Sequence, residues 1–188
     1  MKTGLSLTQL AAQIESNAAA KQDYIVPSKG LEMVVQGENV EMQVPTSDSS
    51  YYVMPIRPMA HDQIGGYTDI PAKYYDRMLA ESPKLLADNV NTWLSKCTND
   101  KRLVRALSGN MRSLHSNKYQ RIDHEEIAEV ALPVLLSVPG IKVASSQITE
   151  RRMYLQVTTD RLVGEVKRGD VVQAGRGLDI HRPHHRAN

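Results

Sequence analysis

The sequence predicts an α+β fold in which a mixed or antiparallel sheet packs against a helix, preceded by an N-terminal helical and hairpin portion. Three observations carry this. Two strand-length runs, Leu103 to Leu107 and Met111 to His115, flank the turn Ser108-Gly109-Asn110. A helix over Glu125 to Leu136 follows, announced by Asp123 as cap and Glu at its start. Alternating runs then recur over Ile141 to Ile148, Arg152 to Thr158 and Arg161 to Val166. The order strand, strand, helix, strand, strand, strand suits one sheet with the helix on one face.

The other elements follow in chain order. Leu5, Leu7, Leu10, Ala11 and Ile14 recur at helical spacing, with Ser6 or Thr8 as cap, so a helix runs to about Ala20. Asp23 to Val26 reads as a short strand ended by Pro27, and Leu31 to Val35 with Val40 to Val44 as a hairpin over Gly37-Glu38-Asn39. Tyr51, Val53 and Ile56 alternate as an edge strand before Pro58. Residues 60–97 form a helical subdomain broken at Gly65-Gly66 and Ser82-Pro83. Tyr74, Tyr75, Met78 and Leu79 make the apolar stripe of one helix, and Leu85, Leu86, Asn89, Val90, Trp93 and Leu94 that of the next. The outline from Ala60 to Leu79 is that of a helix-turn-helix, but its second helix offers Tyr and Met where a base-reading helix offers polar and basic groups. In the helix after Asp123, the expected buried face is Ile127, Val130, Ala131, Val134 and Leu135, and Pro133 removes a backbone donor.

Length and composition bound the answer. With 188 residues, 41% of them hydrophobic and 23% charged, the chain is expected to build one folded domain over 1–175. It has no Phe, so the aromatic part of its core falls to Tyr and Trp. The single Cys excludes an internal disulfide framework and fits a reducing cytoplasm. No apolar run approaches the roughly 20 residues of a membrane span, and Leu5 to Ala20 is too polar for a signal block.

The net charge of +2 hides an uneven distribution. Residues 1–60 and 61–100 each hold 4 basic and 6 acidic residues, and 123–188 hold 9 of each. Residues 101–122 hold Lys101, Arg102, Arg105, Arg112, Lys118 and Arg121 with no acid. Such a block attracts phosphates within a Debye length, although strand alternation spreads its cations over both faces of the hairpin. Leu103, Arg105, Leu107, Arg112 and Leu114 are expected on one face, and Arg102, Val104, Ala106, Met111, Ser113 and His115 on the other.

Catalytic and metal patterns are not recognised. There is no zincin pair, no phosphate-cradling glycine loop and no glycine-flanked nucleophile. Cys97 is a lone thiol at a helix end, and His61-Asp62 and Asp123-His124 are neighbours whose side chains diverge. His181, His184 and His185 lie in a proline-containing tail without a fixed second set of ligands. No cofactor, catalytic or metal site is therefore expected.

Several segments resemble the phage/plasmid-like protein family, a domain of unknown function. They are Ile70-Pro71-Ala72-Lys73-Tyr74-Tyr75-Asp76-Arg77-Met78-Leu79, Asn89-Val90-Asn91-Thr92-Trp93-Leu94 and Tyr119-Gln120-Arg121-Ile122-Asp123. Glu129-Val130-Ala131-Leu132-Pro133-Val134-Leu135, Thr149-Glu150-Arg151-Arg152-Met153-Tyr154 and Gly169-Asp170-Val171-Val172-Gln173-Ala174-Gly175 continue the resemblance. It implies a mobile-element context and no particular reaction. From Arg176 the text departs from the family, so 176–188 is expected to be a shortened, flexible tail whose missing sheet invites closure by a second copy.

Two functions from different classes follow. The first is a nucleic-acid-binding accessory of a mobile element, a binder or annealer with single-stranded DNA the favoured ligand. Lys101, Arg102, Arg105, Arg112, Lys118, Arg121, Arg151 and Arg152 would neutralise phosphates, and Tyr119 or Tyr154 would stack a base. The second is a non-enzymatic inhibitor that binds a host defence protein.

Overall fold

The computed structural model describes residues 6–97, 100–121, 123–149, 152–167 and 170–181. Helices and strands are mixed along the chain, in the order α1 (Leu7–Ala19), β1 (Lys21–Pro27), β2 (Glu32–Gln36), β3 (Asn39–Pro45), β4 (Tyr51–Pro55), α2 (Pro58–Tyr67), α3 (Ala72–Glu81) and α4 (Pro83–Lys96). There follow β5 (Lys101–Leu107), β6 (Asn110–Ser116), α5 (His124–Leu136), β7 (Ile141–Ile148), β8 (Arg152–Lys167) and β9 (Asp170–His181). The class is α+β. Strands pair antiparallel in three small sheets, ordered β1-β5-β6, β2-β3-β4 and β7-β8-β9.

The single sheet expected around α5 is thus two sheets. The hairpin β5-β6 takes β1 as its neighbour, with Asp23 opposite Arg105 and Ile25 opposite Leu103, and β7, β8 and β9 pair among themselves. The single domain expected over 1–175 is accordingly divided into two compact units, one from residues 20–120 and one from 6–19 with 121–181.

In the 20–120 unit, Val40, Met42 and Val44 alternate inward along β3 and face Met33 and Met54 of the flanking strands. They share one core with Val26, Val104, Ala106, Met111 and Leu114 of the other sheet and with the buried faces of α2, α3 and α4. The two sheets meet where Ile56, just past β4, makes a parallel bridge to Met111 of β6. Tyr75 and Met78 of α3 are buried, so its stripe is core, while Tyr74, Leu85 and Trp93 of the expected stripes are exposed. Two sheet edges are closed by side chains. Asn91 of α4 accepts from the Met33 N–H at 2.7 Å and donates to the Met33 carbonyl at 2.8 Å, imitating a neighbouring strand along β2. Along β6, Gln63 of α2 accepts from the Leu114 N–H at 2.8 Å, and the Arg57 N–H donates to the Met111 carbonyl at 2.9 Å.

The β5-β6 hairpin corrects the expected faces. Its turn is Ser108-Gly109, both at positive φ (50° and 75°), and Leu107 faces Asn110 as an even loop requires. Beyond the pair Ala106 and Met111 the register slips, because Arg105 faces Ser113 and leaves Arg112 as an extra residue. This bulge flips every later residue of β6 to the opposite face. Leu114 therefore joins Val104 and Met111 in the core, and His115 joins Leu103 and Arg105 on the other side.

In the second unit, α1 begins with a reciprocal capping box. The Gln9 N–H donates to Ser6 Oγ at 3.2 Å and the Ser6 N–H to Gln9 Oε1 at 2.9 Å. Leu10 and Ile14 are buried with Ala128 of α5 and Met153, Leu155 and Val157 of β8. The α5 helix starts after Asp123 as expected, but the Asp123 side chain makes no cap bond, and Pro133 lies inside the helix. Its buried face differs from the expected one. Ala128 is buried and Ile127, Leu132 and Leu135 pack on the core, whereas Val130 and Val134 are exposed. A helix apolar on nearly every side gives periodicity no means to choose, and the small Ala128 marks the face of contact. The runs at 152–158 and 161–166 belong to one strand, β8, with a register slip between Thr158 and Val163. Nor does the sheet stop at Arg176, since β9 pairs Arg176 with Val157, Leu178 with Leu155 and Ile180 with Met153. The rest of the expected tail, 182–188, lies outside the described residues.

Candidate nucleic-acid interface

The structure sorts the basic block into groups already committed within the fold and groups facing solvent. Arg105 is 1% exposed and lies directly across the strand pair from Asp23, to which its Nε donates at 2.9 Å. Arg112, the bulge residue, is 7% exposed. Neither guanidinium is presented to a phosphate, which removes both from the expected interface. The physical reason is that β5 and β6 are buried on both faces in mid-strand, so alternation no longer sends every second residue to water.

Arg102 is also engaged. Its Nε and Nη2 both donate to Asp100 Oδ2, at 3.0 and 2.6 Å, and its guanidinium lies 3.6 Å from the Tyr67 ring centre. Tyr67 OH is within 2.8 Å of that same carboxylate oxygen and 2.9 Å of Ser28 Oγ. A phenol has one proton, and the carboxylate is the stronger acceptor, so the Ser28 hydroxyl donates to the phenol oxygen. Burial, followed by the contacts with Cys97 and Asp100, pushes the Tyr67 pKa up to about 12 against the opposing bonds from Ser28 and Arg102. Burial acts to raise the Asp100 pKa, but the bonds from Tyr67 and Arg102 outweigh it and hold the carboxyl below its usual range. The group is a charge-assisted clasp joining the start of β5, the end of α2 and the turn after β1. The Cys97 thiol donates to the Trp93 carbonyl at 3.5 Å.

What faces solvent gathers at the open end of the β5-β6 hairpin. Arg102 is opposite Ser116, so Lys101, one residue earlier on β5, sits beside the residues that follow β6. There the Tyr119 N–H donates to the Ser116 carbonyl at 3.1 Å, closing a turn that carries Lys118 outward and folds Tyr119 back. The Tyr119 ring consequently stacks on His115, with centroids 3.9 Å apart and planes 10° from parallel. Lys101 and Lys118 are both exposed, and the two rings are partly so. This end presents two long-chain cations beside a ready-made aromatic stack. It can hold phosphate oxygens and extend the stack by one base face.

The remaining expected residues belong to the other unit or lie outside the description. Arg121 is exposed in the 121–181 unit. Tyr154 is part-buried in β8, its OH donating to Gln156 Oε1 at 3.3 Å. Arg151 lies outside the described residues, and Arg152 is placed only as the first residue of β8. His115 was expected on a strand face but not as a stacking partner. Spacing alone gave no signal for it, because the stack depends on the turn closed between Ser116 and Tyr119.

A second polar pair lies between α2 and α3. His61 Nδ1 is 2.8 Å from the OH of Tyr75, which is 2% exposed. Burial lowers the His61 pKa, with the carboxylates of Asp62 and Asp76 opposing, and burial raises that of Tyr75. The pair joins two helices through their core faces. Among the described residues no group of three or more His, Cys, Asp or Glu side chains is arranged to hold a metal, and no helix is long and apolar enough to cross a membrane.

Compared with known proteins, the chain matches no family model, no curated protein and no solved structure.

Proposed function

We propose that this chain is a nucleic-acid-binding accessory protein of a phage or plasmid, acting on single-stranded DNA without chemistry of its own. The observation that carries the reading is the juxtaposition of exposed Lys101 and Lys118 with the stacked His115–Tyr119 pair at one end of the hairpin. A single strand needs cations spaced along its backbone and a flat ring for an unpaired base, and this end supplies both. The segments that resemble the phage/plasmid-like family support the mobile-element context.

The reading is tested by fluorescence anisotropy of a labelled oligothymidine at low salt, with the native chain and Lys101→Glu/Lys118→Glu. Both positions are exposed, so the double variant keeps the fold. Binding by the native chain that the variant loses is the expected result. Equal binding by both, or none by the native chain, overturns it.

A further inference from the structure

The sheet β2-β3-β4 carries a charge opposite to that of the hairpin end, and one of its edges is open. From Gly30 to Ile56 there are four acids, Glu32, Glu38, Glu41 and Asp48, and no Lys or Arg. Bonds from the Thr46 and Ser50 hydroxyls hold the Asp48 carboxyl down at about 2. It sits in the turn that leads directly into β4.

β4 is the last strand of this sheet. Among the described residues its outer side pairs only past its end, where Ile56 bridges to Met111. Tyr51, Tyr52 and Val53 are 55%, 52% and 42% exposed, three large side chains in a row on an edge, of which the Tyr52 ring also packs against Tyr24 of β1 with ring centres 5.6 Å apart. The unit closes comparable edges elsewhere, with Asn91 along β2 and Gln63 along β6. An open apolar edge with outward N–H and C=O groups is a template for one more strand.

The register specifies what that strand must carry. On one face Tyr52 continues a row with Val44, and Met54 a row with Met42, all in or beside the core. On the other face Val53 continues the row of Gln43 and Glu32, and Pro55 that of Glu41. A strand added beside β4 therefore meets apolar neighbours on one face, and on the other Val53 and Pro55, with the Glu41 carboxylate two strands away and that of Glu32 three.

We infer that the β4 edge is a docking site for an extended basic peptide segment of another protein, with β-branched residues over Tyr52 and Met54 alternating with Lys or Arg on the face of Glu41 and Glu32. The binding mode is strand addition: main-chain bonds to β4 supply the contact, and the alternation supplies the selectivity. It is independent of the hairpin end and of the nucleic-acid reading.

The test uses the full chain and a labelled alternating lysine–valine peptide of about eight residues, the length of an ordinary strand. Three probes are set beside it: the same peptide N-methylated at alternate amides, its glutamate–valine counterpart, and an oligothymidine competitor. The parent peptide is expected to bind. N-methylation and the change to glutamate are each expected to weaken binding about tenfold or more, through the removal of one or two main-chain bonds or of charge attraction. Tyr51→Lys/Val53→Lys, which adds positive charge to the edge without touching the core, is expected to do the same. The proposal is overturned if the parent peptide does not bind, or if the N-methylated peptide binds equally well, since the contact is then ionic and not a strand. Displacement by the oligothymidine makes the edge a base-stacking surface instead. Sedimentation showing a dimer that the Tyr51→Lys/Val53→Lys variant dissociates makes a second copy its occupant.

Discussion

The buried pair Arg105–Asp23 offers the strongest test of how the basic block is divided. Arg105 is 1% and Asp23 12% exposed, their contact is 2.9 Å, and they lie directly opposite on β5 and β1. Shortening Arg105→Ala leaves the Asp23 carboxylate without that guanidinium and opens a cavity in a strand buried on both faces. Breaking a buried pair from one side costs about 3–5 kcal/mol, a large part of the stability of any domain this size. Removing both charges, as Arg105→Leu/Asp23→Leu, restores apolar packing and is expected to cost far less, about 0–2 kcal/mol relative to the native chain. The assay is urea denaturation of the native chain, Arg105→Leu, Asp23→Leu and the double variant, read as a double-mutant cycle, with Arg105→Ala measured beside them. A phosphate-binding Arg105 would behave differently: Arg105→Ala would leave stability within about 0.5 kcal/mol, as an exposed substitution does, and would weaken DNA binding. That outcome would refute the assignment of this residue to the fold.

Three further expectations concern the scaffold. Asn91→Ala removes both bonds to the Met33 backbone and uncovers the edge of β2, so it is expected to cost about 1–3 kcal/mol in denaturation, with Asn91→Asp recovering only the bond accepted from the N–H. Gly109→Ala forces a side chain to φ of 75° in the hairpin turn, a cost of about 1 kcal/mol that leaves the fold intact and lowers the thermal midpoint. His61 binds its proton less readily in the folded chain than in the unfolded one because burial disfavours the cation. The unfolded state then holds more protons, so stability is complete above the ordinary imidazole range near 6.5 and falls as pH drops below it. Replacing His61 by Asn is expected to flatten that fall; an unchanged slope between the two would show that other groups cause it.

Much of the local structure was legible because it is written in neighbouring residues. Ser6 is one of two caps offered for α1 and is the one used, Ser108-Gly109 between two alternating runs is a hairpin turn, and the breaks read at Pro58 and Ser82-Pro83 fall at element boundaries. What was not legible depends on partners far along the chain. Nothing in the spacing around Arg105 indicates that Asp23 will lie opposite it, and that pairing turns a cation offered to phosphate into a buried structural charge. The bulge at Arg112 is likewise silent in the sequence, yet it decides which side of the sheet Leu114 and His115 occupy. Val130 and Val134 illustrate the same limit in a helix, since several arcs of α5 are apolar and only the packing of Ala128 selects one. Of the candidate site, Lys101, Lys118 and Tyr119 were readable from the charge block, whereas the His115 stack required the turn at 116–119.

The central claim is that Lys101 and Lys118 neutralise phosphates along the backbone of a single strand. It is tested most directly by the dependence of oligothymidine binding on salt, measured for the native chain and for Lys101→Gln/Lys118→Gln. Each lysine–phosphate pair that is removed should reduce the slope of log K against log salt by about 0.7, so the neutralised variant is expected to be shallower by about 1.4 and weaker at every salt concentration. Native and variant chains with the same slope would contradict the account and leave this hairpin end without a role in nucleic-acid binding.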